Sequence, residues 1–129
     1  MTREEKERHL MVETQIERRG ISDSRLIEVM KRVPREEFIP KDSRRSAYED
    51  RPVPIGHGQT ISQPYIVALM IELCGLKGDE TVLEVGTGSG YVAAILSRLA
   101  EMVYRVERNG ELCRRGSMAI SRLGKENVQ

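Results

Sequence analysis

The pattern of apolar and polar positions along this 129-residue chain begins with a highly charged segment. Residues 2–19 contain few apolar positions, which predicts a surface helix that ends at Gly20. A second helix is predicted directly afterwards, and either Ser22 or Asp23 can cap its N-terminus. Its apolar residues recur at i, i+3, i+4 and i+7, which predicts one buried stripe made of Leu26, Val29, Met30 and Val33.

The pattern changes in residues 50–64, where three prolines and two glycines surround short β-prone pieces. This composition excludes a helix and predicts an ordered loop or a small hairpin. Pro64 is predicted to open a helix that runs through Cys74 and ends at Gly75. Because its apolar residues cover a wide arc, we expect it to be buried against a sheet. The arc consists of Ile66, Met70 and Leu73, with Val67, Ile71 and Cys74 beside them.

The last third of the chain alternates between strand and helix patterns. Strands are predicted over residues 81–85 and 102–106, and the second is apolar enough to be buried on both faces. Helices are predicted from Gly90 and over about 111–123, although Gly116 is an unfavourable residue inside the second helix. Residues 127–129 look like the start of a third strand. The order predicts an α/β fold with a right-handed parallel crossover.

The turn after the first of these strands reads EVGTGSG over residues 84–90. Its glycines follow G-x-G-x-G spacing, whereas dinucleotide-binding folds need G-x-G-x-x-G. The run resembles the first motif of the Rossmann-like S-adenosylmethionine-dependent methyltransferases. The resemblance implies that the cofactor is bound by Glu84, Gly86, Thr87, Gly88, Ser89 and Gly90. The alternative is a glycine-rich strand-to-helix turn without a ligand.

A second anchor is Glu107, which directly follows the second strand and lies 21 positions after Gly86. An acid at about this distance accepts hydrogen bonds from a ribose diol in Rossmann units. S-adenosylmethionine carries the same diol, so we expect Glu107 to bind its ribose. The alternative is a surface glutamate paired with Arg105 or Arg108.

Overall composition gives few functional clues. The formal net charge of +1 provides no argument for a nucleic-acid or membrane partner. The two cysteines, Cys74 and Cys113, are far apart in sequence, and no N-terminal signal pattern is visible, so we expect a cytoplasmic protein. No metal site is expected, because His57 and His9 have no further ligand nearby in sequence.

Two further segments make the resemblance more specific. The loop GHGQTISQP at residues 56–64, followed by a helix and the glycine motif, is similar to protein-L-isoaspartate O-methyltransferases, as is VPREEFIP at residues 33–40. The resemblance implies methyl transfer from S-adenosylmethionine to the carboxyl group of isoaspartyl residues in damaged proteins. It places Ser62 in the active site, with Thr60 and Ile61 beside it among the cofactor-binding residues.

The chemistry itself requires little of the protein. A carboxylate is already ionised at pH 7 and attacks a positively charged donor, so no general base is needed. We expect Ser62 to orient the substrate carboxylate by one hydrogen bond. Ser62 also lies close to the start of the Pro64 helix, so its alternative role is helix capping.

The predicted organisation is an N-terminal helical region, 1–50, and a partial Rossmann-like domain, 51–129, that begins with the active-site loop 56–64. Members of the family continue well beyond this length, and the common doubly wound sheet has about six strands. A truncated gene product, an expressed fragment, or a chain that pairs or swaps with a copy would each explain the incomplete sheet. Two alternative functions remain open: methylation of another substrate, and a non-catalytic remnant that acts as a binding or oligomerising module.

Overall fold

The computed structural model describes residues 1–129, and the first third of the chain is helical. Helix α1 spans Arg3–Met11 and continues as a π-helical turn, Val12–Ile16, and a 3-10 turn, Glu17–Arg19. Gly20 ends this segment with φ of 99°. Helix α2 spans Ser24–Arg32, and the Asp23 side chain accepts hydrogen bonds from the backbone of Arg25 and Leu26. The two predicted helices are therefore confirmed, and the cap is Asp23.

The central segment forms turns and a hairpin. Two 3-10 turns, Arg35–Phe38 and Lys41–Ser46, lead to antiparallel strands β1, Val53–Gly56, and β2, Gln59–Ile61. His57 and Gly58 connect these strands with φ of 55° and 69°. Two consecutive positive φ angles are typical of a two-residue hairpin turn. The prediction of a small hairpin is confirmed.

Helix α3, Pro64–Cys74, begins and ends where the sequence predicts, but it is buried differently. Val67, Ala68 and Ile71 are buried, and the helix contacts the N-terminal helical segment. The stripe of Ile66, Met70 and Leu73 is exposed, with Leu73 at 77%. The prediction of burial against a sheet is wrong for this stripe, because the helix packs on the N-terminal helical segment through its other face.

The C-terminal half is a parallel strand, helix, strand unit. Strands β3, Thr81–Val85, and β4, Met102–Val106, pair in parallel from Thr81 opposite Met102 to Val85 opposite Val106. Helix α4, Tyr91–Leu96, connects them, and helix α5, Gly110–Arg122, follows β4. Val128 forms a parallel bridge with Val103 on β4. These pairings confirm the predicted α/β architecture and the start of a third strand.

The two faces of the β3–β4 sheet differ. Val82 and Val103 point to the face that belongs to the core, and Val103 is fully buried. Leu83, Val85, Tyr104 and Val106 alternate onto the other face and are exposed, Val85 at 76%. The prediction that β4 is buried on both faces is therefore wrong. No element of the chain packs on this second face, although its side chains are as apolar as those of a buried strand.

The core lies between the N-terminal helices and the covered face of the sheet. It is one cluster of 28 buried hydrophobic residues that includes Leu26 and Met30 of α2 as well as Ile95 of α4. The division into regions 1–50 and 51–129 stays a prediction. The cluster shows that both regions contribute to a shared core.

Candidate functional site

The glycine loop, residues 86–90, follows β3 at its carboxyl end. The backbone N–H groups of Gly86 and Thr87 donate to the Val106 carbonyl at 2.9 and 3.2 Å, which fixes the loop to the end of β4. Gly86, Gly88 and Gly90 have φ of 75°, 54° and 88°, which L side chains rarely adopt. Gly86 is exposed, and a Cβ there would meet no atom within 4 Å. The loop therefore presents open backbone to solvent at Gly86.

The other end of the loop is packed tightly against α5. A Cβ on Gly90 would lie 3.1 Å from the Gly116 Cα, and a Cβ on Gly116 would lie 3.3 Å from the Ser89 carbonyl oxygen. Both positions therefore need glycine for close backbone contact. This contact explains Gly116, which is unfavourable by helix propensity alone.

Glu107 turns towards the glycine loop. One carboxylate oxygen accepts from the Gly88 N–H at 2.9 Å, and the other accepts from the Asn109 N–H at 2.9 Å. These backbone hydrogen bonds, that of Asn109 first, lower the pKa of Glu107 below its usual value, so the side chain is an anion at neutral pH. Its hydrogen bonds go to backbone groups rather than to the Arg105 or Arg108 side chains. The surface ion pair is therefore not observed, and the ribose contact stays a prediction.

Glu84 supports the loop from the covered face of the sheet. The buried Thr87 hydroxyl donates to its carboxylate at 2.6 Å. Burial raises the pKa of Glu84, while the Thr87 hydrogen bond and the nearby charge of Arg105 act in the opposite direction. Ser89 is also engaged within the loop, because its hydroxyl accepts from the Tyr91 N–H at 3.2 Å. Cofactor contacts of Glu84, Thr87 and Ser89 stay predictions.

The hairpin β1–β2 borders this loop. A Cβ on Gly88 would lie 3.6 Å from the Ile55 side chain on β1, and Arg115 of α5 donates to the Ile55 carbonyl. On β2, Ile61 is buried and Thr60 is exposed. Ser62 follows immediately and is also exposed. The hairpin thus contacts the glycine loop through Ile55, and the place of Thr60, Ile61 and Ser62 in a shared site stays a prediction.

The structure also tests the alternative role of Ser62. The N-cap residue of α3 is Gln63, and no side chain forms a capping hydrogen bond there. Capping by Ser62 is therefore not observed. The Ser62 carbonyl accepts a hydrogen bond from Arg35 at 2.9 Å, while its exposed hydroxyl is not used to cap α3.

Sequence-based reasoning missed two residues near this site. Arg35 is completely buried and contacts the Ser62 backbone, although arginine is among the residues least often buried. The Asn109 side chain accepts from the Leu112 N–H at 3.0 Å and caps α5. The second could have been recognised from the sequence, because asparagine is a preferred N-cap residue.

A separate pocket of about 210 Å³ lies on the α5 side of the glycine loop. Its lining includes Ser89, Ile55 and Arg115, but neither Glu107 nor Ser62. This pocket therefore does not define the predicted site. The chain contains no group of three or more potential metal ligands, and none of its helices is long and apolar enough to cross a membrane.

A parallel strand, glycine loop and helix, with an acid from the next strand hydrogen-bonded to the loop, define the cofactor-binding part of a Rossmann-like methyltransferase. Residues 5–129 match the family model described as protein-L-isoaspartate(D-aspartate) O-methyltransferase. The chain therefore belongs to this family.

Individual relatives agree with the family assignment. The chain is 57% identical over 121 residues to protein-L-isoaspartate O-methyltransferase 2 of Marinobacter nauticus, covering 94% of this chain and 55% of the relative. It is 49% identical over 124 residues to the Petrotoga mobilis protein-L-isoaspartate O-methyltransferase, covering 96% of this chain and 58% of the relative. The chain thus spans about half the length of these curated relatives.

Solved structures confirm the fold. One, described as a protein-L-isoaspartate O-methyltransferase, has a TM-score of 0.81 at 32% identity and aligns with 96% of this chain and 40% of its own. A Plasmodium falciparum protein described as a protein-L-isoaspartate O-methyltransferase, in complex with S-adenosyl-L-homocysteine, has a TM-score of 0.78 at 28% identity. That comparison covers 94% of this chain and 60% of the other.

Proposed function

We propose that this chain binds S-adenosylmethionine and takes part in methyl transfer to the carboxyl group of isoaspartyl residues in damaged proteins. Family membership supports the substrate class. The single observation that carries the proposal is the position of Glu107, whose carboxylate lies against the glycine loop. It places an anion beside open backbone, as binding of a nucleoside sugar requires.

The residues present fit this cofactor. Gly86 leaves the loop open, so a ligand can approach its backbone without meeting a side chain. Each Glu107 oxygen accepts one backbone hydrogen bond and keeps lone-pair capacity for a ribose hydroxyl. When bound, S-adenosylmethionine supplies a positively charged sulfonium that donates its methyl group. Thr60 and Ile61, on the adjoining strand, belong to the proposed cofactor-binding set.

Ser62 is proposed as the catalytic residue that contacts the substrate. Its hydroxyl is exposed and not committed to helix capping, so it can donate to a carboxylate oxygen. Because the nucleophile is already ionised, this hydrogen bond aligns it rather than activating it. No proton needs to be removed from Ser62 in this mechanism.

The proposal extends to assembly and location. The exposed apolar face of the β3–β4 sheet supports pairing or swapping with a second copy of the chain. Cys74 and Cys113 are both free thiols, which supports a reducing, cytoplasmic compartment.

Two experiments test the proposal in sequence. Calorimetry with S-adenosylhomocysteine should give binding heat and a thermal shift, and neither at millimolar ligand would favour a non-catalytic remnant. Methyl incorporation should then be compared between an isoaspartyl peptide and its aspartyl twin. Selective labelling of the first peptide is expected, whereas equal labelling of both would indicate a methyltransferase for another substrate.

A further inference from the structure

Arg35 is the largest completely buried side chain of the protein. Burial of a guanidinium group is costly unless its donors are satisfied, and it lowers the pKa of Arg35. No carboxylate forms an ion pair with Arg35. Its position therefore has to be explained by other contacts.

Those contacts join three separate segments of the chain. The Nε atom donates to the Ala47 carbonyl at 2.6 Å, and Nη2 donates to the Ser62 carbonyl at 2.9 Å. The guanidinium carbon lies 5.0 Å from the centroid of the Tyr91 ring. The cation therefore donates to two carbonyl groups and lies over an aromatic ring, while its Nη1 has no hydrogen-bond partner.

Tyr91 connects this cluster to the glycine loop. It is the first residue of α4 and directly follows Gly90. Its ring is fully buried and makes an edge contact with Phe38 at a centroid distance of 5.7 Å. Arg35 is thus in contact both with the backbone at Ser62 and with the helix that begins at the end of the loop.

We propose that Arg35 is a positioning residue that holds the Ser62 segment in register with the glycine loop. This inference rests on the proposed function, in which Ser62 orients the substrate beside the cofactor. Ser62 lies between β2 and α3, so its carbonyl is outside both elements and is fixed by Arg35 instead. Lysine cannot reproduce this arrangement, because a single ammonium group lacks the planar fork of donors that reaches both carbonyls.

The test compares Arg35→Lys with the matched control Arg8→Lys. Arg8 is also buried and also donates to a backbone carbonyl, that of Lys31 at 2.9 Å. Its other polar partners are Tyr48 and Glu36, and none of its hydrogen bonds goes to the Ser62 segment. The first readout is the NMR order parameter of the Ser62 amide in each folded variant. We expect it to fall from about 0.85 to below about 0.6 in Arg35→Lys and to stay high in Arg8→Lys.

The second readout is kinetic. Arg35→Lys should lower kcat for an isoaspartyl peptide about 100-fold through misplacement of the serine, while the Kd for S-adenosylhomocysteine changes by less than about 3-fold. An equal loss of kcat and of affinity for S-adenosylhomocysteine, or an unchanged order parameter at Ser62, would overturn the inference. If the unmodified chain transfers no methyl group, the proposed function fails while the order parameter still decides the role of Arg35.

Tyr91→Leu provides a second variant in case Arg35→Lys does not fold. It removes the ring face but leaves both carbonyl acceptors of Arg35 in place. We expect a smaller fall in the Ser62 order parameter, to a value below that of Arg8→Lys but above about 0.6. No difference from Arg8→Lys would show that the contact with α4 does not position the segment.

Discussion

The N-terminal helical region and the β3–β4 sheet bury their apolar side chains to very different extents. Leu26, Met30 and Val33 in and after α2 are completely buried, and even Arg8 and Arg35 are enclosed with carbonyl acceptors. On the sheet, Leu83 and Val85 project from a face that nothing in the chain covers. The same kind of residue is thus core in one region and surface in the other.

One end of the glycine loop is buried and the other end is exposed. Its Gly90 end is packed against α5 on the covered side, whereas Gly86 is open to solvent. The loop donates hydrogen bonds to the Val106 carbonyl at the end of β4, to Glu84 on β3 and to Glu107. We therefore expect the loop to keep its conformation without a cover on the exposed sheet face.

The largest predicted effect tests the comparison directly with two equivalent truncations. Leu26→Ala removes a fully buried side chain and should reduce the free energy of unfolding by about 2–5 kcal/mol. Leu83→Ala removes a side chain that is 62% exposed and should cost less than about 0.5 kcal/mol. Urea unfolding of both variants provides the measurement. A large cost for Leu83→Ala would show that the exposed face is covered in solution, as self-association requires.

Much of the fold in both regions could be predicted from the sequence, because it depends on local signals. The ends of α3 follow from Pro64 and Gly75, and the parallel unit follows from two apolar strands around a glycine turn. Exposure of the Leu73 stripe and of the second sheet face could not be predicted, since an apolar pattern shows that a surface needs covering but not whether this chain covers it.

The site shows the same limit. Gly88 and Glu107 were each expected to bind the same cofactor from motif spacing, and the Gly88 N–H donates to Glu107 in the structure. The burial of Arg35 could not be inferred, because its acceptors at positions 47 and 62 are backbone carbonyls, which carry no sequence signature. The close contact of Gly90 with Gly116 was equally hidden, since it joins positions on separate elements.

The next prediction compares the stability cost of an alanine at each end of the glycine loop. Gly90→Ala combines a positive φ with contacts of 3.1 and 3.2 Å to the Gly116 backbone, so it should cost about 1–3 kcal/mol more than Gly86→Ala. Gly86→Ala carries a similar φ but meets open space, and about 1–2 kcal/mol is expected. Thermal unfolding without ligand measures both. Equal costs would indicate that α5 does not pack closely on the loop in solution.

A third prediction tests the carboxylate of Glu107, which lies against the glycine loop. Glu107→Gln replaces one carboxylate oxygen by an NH2 group, which only donates. One of the two hydrogen bonds from the Gly88 and Asn109 N–H groups is therefore lost. We expect affinity for S-adenosylhomocysteine to fall about 10-fold, because hydrogen bonds to a charged acceptor are the stronger kind. Glu111→Gln on the exposed side of α5 is the control and should bind normally in calorimetry. Normal binding by Glu107→Gln would remove the main support for the ribose contact.

The pH dependence of stability tests the same carboxylate without a ligand. The hydrogen bonds from Asn109 and Gly88 hold the folded-state pKa of Glu107 below the usual 4.5. Its stabilising contribution is therefore present above pH 4.5 and is lost as the pH falls through the lower folded-state value. Urea unfolding between pH 7 and pH 3 should show a smaller acid-induced loss in Glu107→Gln than in the unmodified chain. An identical loss would mean that protonation of other groups accounts for it.

The smallest predicted effect concerns the cap of α5, which anchors the covered end of the loop. Asn109→Ala removes the acceptor of the Leu112 N–H and should cost about 1 kcal/mol in urea unfolding. Thr2→Ala removes the comparable cap of α1, where Thr2 accepts from the Glu5 N–H at 3.1 Å. Because the Thr2 cap is exposed whereas the Asn109 cap is part-buried, the end of α1 can fray and the cost there should be smaller. If Thr2→Ala costs more than Asn109→Ala, the first turn of α1 is more rigid than the first turn of α5. The two regions then differ in rigidity by more than burial alone indicates.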